Sequence, residues 1–293
     1  MKRFLGTAVL LLAGGLAVGA AAEPISFEQA ANVTGLTGIQ VGVDCDYSYE
    51  KISAGGDTRT AEIENTVMQL PVFIRVGLPI MEIKLTVPYG NIKDNAAAVK
   101  SNNYSGVQNI GVGLKTGLVG LPIFNLAAGL NTKFPTAEPE KYFFGEGLAL
   151  NPFLAADLDV VLFKLHANVG YQYRGQYKKT FNPFTEDASQ SIEIKPGDAT
   201  QYAAGVEIPL SDMFFLMGEI KGVKYGEVKI GGEGVPNTAG MTLTAVPGIR
   251  LEKGFFKAHL GVAIPLEQES ERPQMAPRSD WRILGGASLK FGI

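Results

Sequence analysis

The chain has 293 residues, a single cysteine (Cys45), two histidines and a formal net charge of −3, and its 36 glycines are scattered rather than set in a repeat. That mild acidity excludes a nucleic-acid partner, which would need a basic face. The lone cysteine excludes a disulfide framework and a cysteine metal cluster.

From the N-terminus, Lys2 and Arg3 form a short basic region and Leu10 to Val18 an apolar stretch; Ala20-Ala21-Ala22 follows as a small-residue cleavage pattern. This layout predicts a secretory signal peptide over residues 1–22. The apolar run is shorter than the ~20 residues that a spanning helix requires. Cleavage near Ala22 removes Lys2 and Arg3, which takes the net charge from −3 to about −5. No later segment offers ~18 consecutive apolar residues, so no helix is expected to cross a membrane. Residues 23–35, with Phe27, Ala30 and Ala31, are expected to form a loose periplasmic tail or a small plug.

Residues 36–293 alternate with period two, as strands with two different faces do. Between Phe163 and Arg174, the residues Phe163, Leu165, Ala167, Val169, Tyr171 and Tyr173 share one face, and Lys164, His166, Asn168, Gln172 and Arg174 the other. The last strand sets Trp281, Ile283, Ala287, Leu289, Phe291 and Ile293 against Arg282, Ser288 and Lys290. Very short links at Leu78 to Ile80, Val119 to Pro122, Asp159-Val160, Ser211 to Met213 and Glu252 to Gly254 alternate with longer polar connections. Those longer ones run from Glu50 to Thr58, Asn91 to Gly106, Pro135 to Gly147, Gly175 to Ala199, Gly226 to Gly240 and Pro265 to Asp280. This asymmetry of tight turns and long loops predicts an all-β fold, a transmembrane antiparallel up-and-down barrel of about 12 strands. Such a sheet pairs every backbone group without leaving an edge in hydrocarbon.

Aromatic residues follow the same rhythm. Phe124, Phe163, Phe214 and Phe255 come just after short links, while Tyr49, Tyr89, Phe134, Tyr173 and Tyr225 sit near the far ends of strands and Trp281 opens the last one. Two aromatic bands are what a barrel places at its two membrane interfaces. The expected location is therefore the outer membrane of a Gram-negative bacterium, with outer-membrane lipid and lipopolysaccharide as neighbours.

The polar face then becomes the lumen. Its basic candidates are Arg75, Lys84, Lys115, Lys133, Lys164, Arg174, Lys221, Arg250, Lys257, Arg282 and Lys290, with His166 and His259; its acidic ones are Asp44, Asp46, Glu82, Asp157, Glu207 and Glu219. That balance predicts a lumen biased towards anions. Pairing of these charges across the interior, leaving little open pore, is the equal alternative. Acidic loop residues such as Glu138, Glu140, Glu186, Asp187, Glu267, Glu269 and Glu271 either bind divalent cations near lipopolysaccharide or stay solvated, and no calcium-loop spacing is present.

No catalytic residue, metal site or cofactor emerges. Both histidines lie on the polar face, no serine stands at a useful spacing from either, and no phosphate loop or nucleophile elbow is found. Cys45, on the apolar face, reads as a small hydrophobe.

The central strands add a resemblance. Val87-Pro88-Tyr89, Ile110-Gly111-Val112-Gly113-Leu114-Lys115, Ala128 to Thr136 (reading Ala-Gly-Leu-Asn-Thr-Lys-Phe-Pro-Thr) and Leu165 to Tyr171 occur in that order. Together they resemble the outer-membrane transporter-like barrels named after the phenol meta-cleavage degradation pathway. The resemblance covers residues 70–175 and implies passage of small compounds, hydrophobic or aromatic ones among them. It supplies no catalytic residue. Gln108-Asn109 replaces the family's usual Gly-Asp, and Ala137 its Gly after Pro-Thr.

The leading expectation is a passive channel for small solutes. A non-conducting structural or surface-interaction barrel is the alternative. Phe291 and Ile293 are the expected C-terminal signal for the barrel-assembly machinery.

Overall fold

The structure is a computed structural model that describes residues 38–56, 59–96, 102–137, 147–181, 190–236, 238–268 and 281–292. The signal peptide, the tail or plug segment, Ile293 and the acidic loop residues Glu138, Glu140, Glu186, Asp187, Glu269 and Glu271 lie outside these. Alternating sequence becomes strand throughout: β1 (Gly38–Gly56), β2 (Arg59–Gly77), β3 (Met81–Ala96), β4 (Asn102–Val107), β5 (Gly111–Gly120), β6 (Phe124–Lys133), β7 (Ala149–Val160), β8 (Phe163–Arg174), β9 (Tyr177–Phe181), β10 (Gln190–Lys195), β11 (Ala199–Pro209), β12 (Phe214–Tyr225), β13 (Lys229–Ile230), β14 (Glu233–Gly234), β15 (Gly240–Lys253), β16 (Phe256–Gln268) and β17 (Trp281–Gly292).

Neighbours along the chain pair antiparallel, and the sheet closes where β17 pairs with β1. Strands β4 and β5 act as one interrupted strand, since both pair with β3, the first along its far part and the second along its near part. Counted so, the barrel has twelve strands. At the interruption, Gln108 N–H still donates to the Pro88 carbonyl (2.8 Å), and Asn109 Oδ1 accepts from Ala137 N–H (3.1 Å).

The ends differ as the link lengths require. At the short-turn end, Leu78 N–H closes onto the Met81 carbonyl (2.8 Å), and Gly254 takes φ 58°, the left-handed conformation that a two-residue hairpin needs. At the loop end, the structure departs from the sequence reading in two ways. The expected loop from Glu50 is ladder: β1 and β2 stay paired up to Gly56 and Arg59. The Asn91 connection likewise continues as strand to Ala96 and resumes at Asn102. Both hairpins are long enough to outrun a hydrocarbon core, which takes about 9–11 residues per strand.

The second departure is a small separate sheet. Strands β9 and β10 come from the connection after β8, β13 and β14 from the connection after β12, and β10 pairs with β13. Ile194 and Val228 are its buried core, packed by Tyr177, Ile192 and Ile230. Gly231 and Gly232, with φ of 61° and 88°, make the turn between β13 and β14.

The barrel exterior is apolar. Val72, Ile74, Leu85, Leu154, Leu165, Val169, Ile220, Ile249 and Leu260 all face outward and are exposed. An apolar exterior this extensive is unstable in water and matches a hydrocarbon-facing band. Cys45 lies on this face.

Candidate functional site: the lumen

Because the barrel is closed, strand parity fixes which side chains point inward. One register row runs Lys290, Gln40, Arg75, Lys84, Gly113, Asn131 and Asn151 across β17, β1, β2, β3, β5, β6 and β7. Parity places every basic and acidic lumen candidate on the inner wall: Lys115, Lys133, Lys164, His166, Arg174, Glu207, Glu219, Lys221, Arg250, Lys257, His259 and Arg282 join Arg75, Lys84 and Lys290 there. Asp159, read as part of a short link, belongs to β7 and also points in.

Charges near the short-turn end are organised as a belt. Gln40 Nε2 donates to Ser288 Oγ (2.8 Å), and Arg75 Nη1 donates to Gln40 Oε1 (3.3 Å). Glu82 bridges Arg75 and Lys115, at 3.2 and 3.5 Å. Further round, His166 Nδ1 lies 2.8 Å from Asp157 Oδ1, and its Nε2 lies 3.9 Å from Glu207, where a hydrolase would need a hydroxyl. Arg250 donates to both carboxylate oxygens of Glu207, reaches Glu252 at 3.5 Å and stacks over Phe215 with its guanidinium 4.4 Å from the ring centroid. These are buried groups; Asp157 is only 1% exposed. Lys164 pairs with Asp159 at 2.9 Å in a wetter position.

The charges in this half of the barrel are segregated. Strands β16, β17, β1, β2, β3 and β5 carry Lys257, Lys290, Arg75, Lys84 and Lys115 against Asp44 and Glu82, a net positive arc. Strands β7, β8, β11, β12 and β15 carry Asp157, Asp159, Glu207, Glu219 and Glu252 against Lys164 and Arg250, a net negative one. Fixed arcs of opposite sign create a potential difference across the lumen. Nearer the loop end Lys133, Arg174 and Lys221 are all basic, and Arg282 is matched by Asp46 (Nε to Oδ1, 3.2 Å). Arg174 donates to Gln172 Oε1 (3.2 and 3.3 Å), and Gln201 donates to the same oxygen (3.2 Å). At Gly286 a Cβ would meet Asp44 Oδ1 at 2.4 Å and His259 Cε1 at 2.5 Å, so any larger residue there would displace those two side chains.

Apolar residues also face the lumen, which pattern reading did not find. Met217, Val246, Ala263 and Leu284 form a buried cluster on β12, β15, β16 and β17. Phe73 is 1% exposed, with Lys84 Nζ 4.5 Å and the Arg75 guanidinium 5.7 Å from its ring centroid. Phe153 packs with Ala127 and Ala155.

Among the aromatics, Tyr89, Phe124, Phe134, Phe163, Tyr173, Phe214 and Trp281 have outward parity, and Phe255 sits in a short turn. Trp281 meets Tyr47 and Tyr49, with ring centroids 5.9 and 6.4 Å apart. Tyr225 is different: it points inward beneath the Arg174 guanidinium (5.5 Å), so it does not belong to the outer band. Among the described residues no group of three or more His, Cys, Asp or Glu side chains is arranged to hold a metal ion.

No protein-family model matches the chain, and no curated protein matches it. Solved structures do. An outer membrane channel from Pseudomonas putida F1 superposes with a TM-score of 0.68 at 13% identity, over 89% of this chain and 98% of that one. The NanC porin gives 0.50 at 9% identity, over 86% and 100%. The translocator domain of the autotransporter NalP from Neisseria meningitidis gives 0.50 at 12% identity, over 99% and 96%. The fold is that of an outer-membrane β-barrel. At these identities the likeness is one of fold alone.

Proposed function

We propose that the protein is an outer-membrane channel for the passive passage of small solutes, with a preference for anions. The observation that carries this reading is the inner wall: a closed barrel lined by fixed charge, whose facing positive and negative arcs balance, with Lys133, Arg174 and Lys221 adding positive charge nearer the loop end. Rings of fixed charge set the ion selectivity of a pore. The resemblance to the phenol meta-cleavage transporter barrels supports hydrophobic or aromatic compounds among its cargo. The similar channel and porin folds support passage; the autotransporter fold supports no particular solute.

Single-channel recording of the refolded mature protein in a planar bilayer under a salt gradient tests this. Steady conductance with a reversal potential on the anion side is the expected result. Replacing Lys133 by Gln should reduce that preference, because Lys133 is in no ion pair among the described residues. Lys164 is the poorer choice, since its loss strips Asp159 of a partner 2.9 Å away. A folded but silent barrel would favour the second reading, a non-conducting structural or surface-interaction barrel. The paired belt and the sheet raised at the loop end support that alternative.

Insertion from the periplasm, after removal of residues 1–22, completes the reading, with lipid and lipopolysaccharide around the barrel and Phe291 and Ile293 recognised by the barrel-assembly machinery. Phe291 faces outward opposite Ile39 on the closing strand and is 52% exposed. Serine at positions 291 and 293 should lower the heat-modifiable, assembled fraction on gels; an unchanged fraction would remove this role.

A further inference from the structure

We propose that the short-turn end of the barrel is a lipid-contact surface, seated at the headgroup–acyl boundary of the inner leaflet. Turns that face water usually carry Gly, Asn, Asp or Ser. Here each short turn also exposes large apolar residues, Ile80, Ile123, Val161, Leu162, Leu210 and Phe255, by 71, 61, 97, 73, 64 and 62%, beside Ser211, Asp212, Lys253 and Gly254 at two of them. Two of the turns even repeat one tetrapeptide, Gly77-Leu78-Pro79-Ile80 and Gly120-Leu121-Pro122-Ile123. Scattered surface apolar residues need no explanation, but apolar residues at every short turn do. Turn geometry does not supply one: Leu78 N–H to the Met81 carbonyl and Leu121 N–H to the Phe124 carbonyl, both 2.8 Å, are main-chain bonds that any non-proline residue could make.

Continuity identifies what covers them. Above Ile80 comes Met81, above Leu162 comes Phe163, and above Met213 comes Phe214; from Phe163 the outward face of β8 stays apolar up to Tyr171 and Tyr173. The stretch from Phe163 to Tyr173 matches the about 9–11 residues that cross a hydrocarbon core. The turn tips therefore fall just beyond that core, at headgroup depth, where Ser211-Asp212 and Lys253 are the polar residues among them. A docked protein would instead leave a polar rim around its footprint. This inference rests on the membrane placement proposed above.

The test uses full-length mature protein in phospholipid vesicles, with Cys45→Ser and Val161→Cys, carrying an environment-sensitive dye at position 161. Lipids brominated near the headgroup end of the acyl chain should quench about half of its emission or more, as expected for side chains at the acyl boundary. Iodide present on both sides should quench it little. A dye quenched by iodide and untouched by bromolipid overturns the proposal and puts the rim in water. A dye shielded from both quenchers overturns it too and points to a covering protein or second copy. Ile123→Cys repeats the measurement should the first variant assemble poorly. Val169→Cys, midway along β8, is the control: if its dye also escapes bromolipid, the membrane placement has failed along with the rim, whereas quenching there alone sinks only the rim.

Discussion

Replacing Arg250 by Met should destabilise the folded barrel by about 3–5 kcal/mol, the cost of stripping a buried ion pair of one partner. Arg250 and Glu207 are 12% and 6% exposed at their side chains, and the guanidinium serves both carboxylate oxygens. Without it, both carboxylate oxygens of Glu207 would lose their donor in a buried place, and Phe215 would lose the cation above its ring. The double variant Arg250→Met, Glu207→Met should recover most of the loss, because neither charge then remains to be compensated. Lys164→Met offers the contrast: that lysine and Asp159 are 29% and 35% exposed, and such a wet pair is worth only about 0–1 kcal/mol. Urea unfolding in vesicles, run as a double-mutant cycle, measures all of these. Equal costs for Arg250→Met and Lys164→Met would mean that the belt is hydrated and its burial is not energetic.

The second large effect concerns the opposite face. Val169→Arg should cost about 2–4 kcal/mol, because it sets a guanidinium against the middle of the hydrocarbon band. Its neighbour Asn168 points into the lumen, registered with Ala155 and Ala203, and Asn168→Arg should cost no more than about 1 kcal/mol, as lumen substitutions tune selectivity rather than insertion. Refolding yield and unfolding free energy in phospholipid vesicles distinguish the two. The reverse ranking would turn the barrel inside out.

Most of the fold was legible because a barrel wall has one rule, period-two alternation, that short-range sequence displays directly. β8 and β17 show it cleanly, and the alternation of short and long links marked the two ends of the hairpins. Twelve strands followed from counting links. Reading failed where polarity and parity part company. Tyr225 was assigned by its nearness to a strand end, yet its parity on β12 turns it inward to Arg174. Phe73 stands between Val72 and Ile74, so polarity could not say which of the three faces inward; register with Thr86 and Gly42 does. The cluster of Met217, Val246, Ala263 and Leu284 breaks the expectation of a wholly polar lumen, and its members find each other only through cross-strand pairing.

Pairing of the lumen charges was equally hidden. Arg250 and Glu207 lie 43 positions apart, and Arg282 and Asp46 lie 236 apart. Sequence spacing carries no trace of such partners; strand register brings the first pair together across β12, and closure of the sheet the second. The loop-end sheet escaped for a different reason. Strands β13 and β14 have only two residues each, too few to show a period.

On the membrane placement proposed above, with the loop end outward, that small sheet has a consequence for anything that inspects the cell from outside. Since β10 pairs with β13, the ridge it presents is composed of two stretches that translation separates widely. An antibody raised against the folded protein would read both at once and miss peptides copied from either. Variation in one stretch would then be screened by the fit of the other, so the immunological face of the molecule would drift as a pair.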